Sequence, residues 1–191
     1  MRGYHSAAAP HNLALCFHEA MTIIHCTEKL RKEMDLRDLD LVQENTLAGT
    51  LFSWHANLLH INRKKCVLFV NDKTRLNFIV PDVSRANIKE LGNLFLGMLY
   101  PILAQEGFTE KQRRFIAGDG KPIVFAKTSS KSVLGSINDL ADHYTYSILG
   151  TGSLHSSEIP AIISRLNRLP ISSIKYTLPV DVMRAEVENE T

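Results

Sequence analysis

Residues Trp54 to Val80 read WHANLLHINRKKCVLFVNDKTRLNFIV. Three β-rich runs, Trp54 to Ile61, Cys66 to Val70 and Leu76 to Val80, are separated by Asn62 to Lys65 and Asn71 to Thr74, whose Asn, Asp and polar residues suit tight turns. Short turns force antiparallel neighbours, so the stretch is a three-stranded meander. In its first run Trp54, Ala56 and Leu58 alternate with His55, Asn57 and Leu59, which makes one side the more apolar. The second, CVLFV, has no polar face and reads as a central strand covered on both sides.

Outward from the meander the pattern becomes mixed. Before it, Thr22 to Cys26 is strand-like, Thr27 is placed to cap a helix from Glu28 to about Met34, and Asp35 to Thr50 reads as a surface connection. After it, Ser84 caps a helix from Arg85 to about Gln105, whose Ile88, Leu91, Phe95, Met98 and Ile102 recur at helical spacing. Thr109 and Gln112 fit a capping box. A strand over Pro122 to Ala126, helices over Ser132 to Leu149 and Glu158 to Arg168, and a last edge strand over Ile174 to Val180 complete the pattern. The expected fold is α+β: a mostly antiparallel sheet built on the meander, with helices packed over it. Residues 1–20 are expected to be a flexible arm or an over-long start, with Met21 as a second initiator. A single domain is expected over 21–182, followed by an acidic disordered tail over 183–191.

The 191 residues carry a formal charge of +2, too small to imply a partner, but unevenly spread. From Ile61 to Lys131 there are thirteen Lys/Arg against six Asp/Glu, whereas Asp181 to Thr191 holds one Arg against four acids. The basic middle can meet phosphates, or simply be solvated. Cys16, Cys26 and Cys66 are too few and wrongly spaced for a disulfide framework, which points to a reducing, cytoplasmic setting. The longest apolar run, Leu94 to Ala104, contains Gly97 and Pro101 and is too short to span a bilayer, and residues 1–20 lack the apolar core of a signal peptide. No metal site or cofactor is expected. His25 and Cys26 point to opposite faces of a strand, as do His55 and His60.

Chemistry concentrates in Val124 to Asp139, VFAKTSSKSVLGSIND, a strand running through a hydroxyl-rich turn into a helix. Unpaired amides and the positive end of the helix dipole converge there, where Lys127, Thr128, Ser129, Ser130, Lys131 and Ser132 offer hydroxyls and charge to a phosphate or carboxylate. Plain capping accounts for the same residues. The glycines of a nucleoside triphosphate loop are absent. Along that helix Asp139 and His143 are an i,i+4 pair fit for acid–base work or for surface pairing. Arg165 and Arg168, at the end of the next helix, complement its dipole and can grip the same anion if that end folds back toward the serine turn.

The blocks IHCTEKL, WHANLLHINRKKCVLFVNDKT, FAKTSSKSVLGSIND and SRLNRLP, in that order over about Met21 to Val182, resemble a bacterial family catalogued as domain of unknown function 6933. The resemblance implies a compact cytoplasmic α+β domain with no established activity. From the residues, the first expectation is a non-enzymatic binder of a phosphate-bearing small molecule or nucleic acid through the serine turn, with no membrane partner. The alternatives are a small hydrolase or transferase using the same anion site with Asp139 and His143, and a protein-interaction module.

Overall fold

In the computed structural model, which describes residues 21–42, 49–118, 120–128, 130–155 and 157–190, the arm expected at 1–20 lies outside the described residues. The first strand, β1 (Thr22–Cys26), is buried at every position and lies between two parallel neighbours. One is β2 (Ser53–Ile61), in register His25 to His55; the other is β5 (Ile123–Lys127), in register His25 to Ala126. β2 continues into β3 (Lys64–Asn71) and β4 (Asn77–Val80) as an antiparallel meander, giving the order β4-β3-β2-β1-β5. The chain is α+β, but the sheet is mixed rather than mostly antiparallel. Its two parallel ladders form because β1 returns to β2 through a helical crossover and β5 arrives from a distant part of the chain. The β2–β3 turn is tight, with Asn62 and Arg63 both at positive φ as a two-residue hairpin needs.

Among the described residues seven α-helices pack around this sheet. They are α1 (Glu28–Met34), α2 (Arg85–Lys89), α3 (Leu91–Gln105), α4 (Glu110–Ala117), α5 (Lys131–Thr151), α6 (Ile159–Leu166) and α7 (Pro179–Glu190). Phe95 of α3 packs on Trp54, Phe69 and Phe78 with ring centroids 5.0–5.8 Å apart. On the opposite face Tyr144 of α5 donates its hydroxyl to Asn77 Oδ1 at 2.8 Å. Coverage on both faces explains why Cys66 to Asn71 are buried without alternation.

Local signals decide several boundaries. Ser84 Oγ accepts from Asn87 N, and Thr109 and Gln112 form the reciprocal capping box. The helix expected to run unbroken from Arg85 is interrupted at Glu90 (ψ 42°), so it forms two pieces. Thr27 makes no side-chain cap; its hydroxyl donates to Asn57 Oδ1 at 3.0 Å and ties the start of α1 to β2. The edge strand expected over Ile174 to Val180 is replaced by a 3-10 turn at Ser172–Ile174 and the start of α7. Residues 183–190, expected as a disordered tail, are helical because Val180, Met183 and Val187 share one buried stripe.

Two measurements follow. Met183→Ala is expected to lower stability by about 2–5 kcal/mol in urea unfolding, the cost of truncating a core side chain, where a solvated tail would show no effect. Burial holds the Tyr144 hydroxyl and the Cys26 thiol well above their ordinary pKa. Both stay neutral when folded but ionise in the unfolded chain, so stability is full below about pH 8 and falls as pH climbs through roughly 8.5–10. Urea midpoints measured across that range check it, and Tyr144→Phe should flatten the upper part of the fall.

Candidate functional site

β1 and β5 end side by side, and from β1 the chain leaves toward β2 on one side while β5 closes the other. In sheets with parallel strands, the crevice at the carboxyl ends of such neighbours is the usual seat of ligands. α5 begins there. Ser130 is its N-cap: Oγ accepts from Val133 N at 3.3 Å, and its carbonyl takes Leu134 N at 3.0 Å. The amides of Lys131 and Ser132 have no acceptor among the described residues, and both residues are exposed.

Beneath this turn lies a buried guanidinium. Arg75, held at φ 62° in the β3–β4 turn, donates from Nη2 to Ser132 Oγ at 3.3 Å, from Nε to Ser173 Oγ at 3.0 Å, and from Nη1 to the Asp72 carbonyl. All three acceptors are neutral oxygens. Burial lowers the Arg75 pKa, and the nearby Asp72 carboxylate opposes that shift. A cation is thus placed against the first turn of α5, where the helix dipole is already positive.

The turn that carries Arg75 is anchored by a polar network under the crevice. His55 and Asp72 join through Nδ1 and Oδ1 at 2.5 Å, and Ser53 Oγ donates to Asp72 Oδ2. His25 Nδ1 donates to the Lys127 carbonyl at 3.0 Å, and its Nε2 lies 3.1 Å from Ser53 Oγ. The two imidazole rings lie side by side, centroids 4.7 Å apart. All four side chains are buried. The single Ser53 proton cannot serve both neighbours. His55 Nε2 is buried without a hydrogen-bond partner among the described residues.

The residues singled out from the sequence fall into three places. Thr128, Ser130, Lys131 and Ser132 form the turn, while Ser129 lies outside the described residues. Lys127 is beside them, but its ammonium pairs with Asp38 at 2.7 Å and holds that carboxyl below its usual pKa. Asp139 and His143 share the outer face of α5 and line one pocket of about 250 Å³, without a bond joining them among the described residues. Arg165 also meets His143, across a neighbouring hollow of about 550 Å³, and donates to Ser147 Oγ at 2.8 Å. Arg168 is elsewhere, paired at 2.7 Å with the buried Glu106 carboxylate, which raises its pKa.

Sequence reasoning did not single out His25, Ser53, Asp72 or Arg75. Asp72 and Arg75 sit in what reads as ordinary turn chemistry, and the two histidines meet only through the β1–β2 register. The available signal was polarity out of place: histidines inside runs otherwise apolar enough to be core strands.

The profile of domain of unknown function 6933 matches residues 23–182, and the chain belongs to that family. No curated protein and no solved structure matches the chain.

The network's structural weight is measurable. Asp72→Asn is expected to cost about 1–3 kcal/mol in urea unfolding, since it disturbs the buried hydrogen bonds from Ser53 and to His55. Ser53→Ala, which removes only the bridging hydroxyl, should cost about 1–3 kcal/mol.

Proposed function

Family membership supplies no reaction, and from the crevice itself we propose that the chain binds a small phosphate-bearing ligand at the amino end of α5. The observation that carries this reading is the Arg75 guanidinium buried against Ser132, with neutral oxygens as its acceptors. Two positive potentials of like sign are held together there, and an anion over the Lys131 and Ser132 amides relieves both. Ser130, Ser132 and Lys131 add hydroxyls and a cation whose ammonium makes no ion pair among the described residues.

A small ligand fits better than a nucleic acid. Several basic residues of the middle stretch are already engaged: Lys64 with Asp82, Lys65 with Glu33, and both Arg113 and Arg114 with Glu110. Binding without catalysis is the favoured role, because His143 lies eleven residues from Ser132, about 16 Å along the helix.

Titration of the full chain with inorganic phosphate and pyrophosphate tests this. Binding is expected at low ionic strength and should weaken as salt rises. Lys131→Glu should weaken it by about tenfold or more, and Arg75→Gln should abolish it. Should Arg75→Gln fail to fold, Lys131→Glu and Ser132→Ala, both at exposed positions, carry the test. Absence of binding at low salt, or binding indifferent to salt and to Lys131→Glu, overturns the proposal.

A further inference from the structure

Ser132, Ser136, Asp139, His143 and Ser147 are spaced four, three, four and four residues apart, which sets them in one row along α5. Facing the row is the segment Leu169 to Tyr176, and between them lies the pocket of about 250 Å³ lined by Ser136, Asp139, His143, Ser172 and Tyr176, among others. Hydroxyls connect it to the crevice. Arg75 Nε donates to Ser173 Oγ, which lies 3.0 Å from Ser136 Oγ, while the same guanidinium reaches Ser132.

The rim has its own signature. Tyr176 is 74% exposed, with φ 59°, directly after Lys175 at φ 57°. Two successive non-glycine residues in the left-handed region turn the chain tightly there, as Asn62 and Arg63 do between β2 and β3. Tyr176 N donates to the Ile171 carbonyl at 2.9 Å, and Ile171 pairs with Thr177 to close the loop. Asp139 is exposed and has neither an ion pair nor a hydrogen bond among the described residues.

We infer that this pocket takes the nucleoside of a nucleoside monophosphate whose phosphate occupies the amino end of α5; the inference rests on the phosphate-binding reading above. Seven residues separate Ser132 from Asp139, about 10 Å along the helix, the reach of a nucleotide from its phosphate to its sugar and base. The Asp139 carboxylate, an acceptor only, receives the vicinal ribose hydroxyls. The Tyr176 ring offers a face on which a base stacks whatever its identity. A polyphosphate laid along the same row would meet the Asp139 charge, so the site selects one phosphate followed by a sugar.

The test is calorimetric titration of the full chain at low ionic strength with inorganic phosphate, ribose 5-phosphate, AMP and CMP. Affinity is expected to rise from phosphate through ribose 5-phosphate to the two nucleotides, with AMP and CMP at least about tenfold tighter than phosphate. Asp139→Asn should weaken ribose 5-phosphate and AMP by about tenfold and leave phosphate unchanged. Tyr176→Ala should weaken AMP by a similar, about tenfold, factor and spare ribose 5-phosphate. Both positions are exposed, and circular dichroism verifies that the variants fold. If phosphate binds but AMP binds no tighter, or if both variants leave AMP unchanged, the nucleoside inference falls and phosphate binding stands. If neither phosphate nor nucleotide binds, both fall.

Discussion

The Asp72 carboxylate, buried where β3 ends, is the constraint on which the rest of the site depends. A carboxylate taken out of water must be met by donors or by a proton, and here Ser53 and His55 meet it from β2 while His25 stands behind Ser53 from β1. Three segments of chain are thereby locked at one depth. Arg75 inherits that placement three residues later, and through it the first turn of α5 is fixed over the ends of β1 and β5. Hydrophobic packing supplies the bulk of the folding energy, with Trp54, Phe69, Phe78 and Phe95 in mutual contact, but apolar contacts alone are indifferent to small shifts of register. The polar chain beneath the crevice is not.

What could be read in advance was whatever is encoded locally. Alternation and turn residues gave the β2–β3–β4 meander, and the spacing of Ile88, Leu91, Phe95 and Ile102 gave one helix over Arg85 to Gln105, which the structure divides at Glu90. Ser130 sits where capping rules put it, within one or two residues of the expected helix start. The mixed sheet was not legible, because the choice of β1's neighbours depends on a crossover through α1 and on a strand about a hundred residues away. The same distance hid the network, since nothing in the spacing of His25 and His55 announces that they will lie opposite each other. The α7 stripe of Val180, Met183 and Val187 went unread, because Val180 was assigned to an edge strand and the acidic residues after it to a tail.

Charge also redistributes between sequence and structure. The excess of Lys and Arg over the middle of the chain looked like a broad positive face, yet many of its members are spent on local partners, such as Lys65 on Glu33 and Arg85 on Asp35. Arg75, by contrast, has exchanged water for hydroxyl and carbonyl oxygens. A formal count weighs these alike, whereas the electrostatic potential that a solute meets depends on depth and on the company each charge keeps.

The parallel pairing of β1 with β5 also dictates an order of events during biosynthesis. Ile23 and Ile24 cannot complete their hydrogen-bond ladder until Val124 and Phe125 have been translated. The antiparallel meander can close early, but β1 must wait with one edge bare. Meanwhile the connection after α1 reaches across to that vacant side, where Val42 N later bonds to the Phe125 carbonyl at 2.9 Å and Lys127 meets Asp38. The last strand therefore pairs with chain made much earlier, and closing so long a loop carries the entropy cost of a non-local contact.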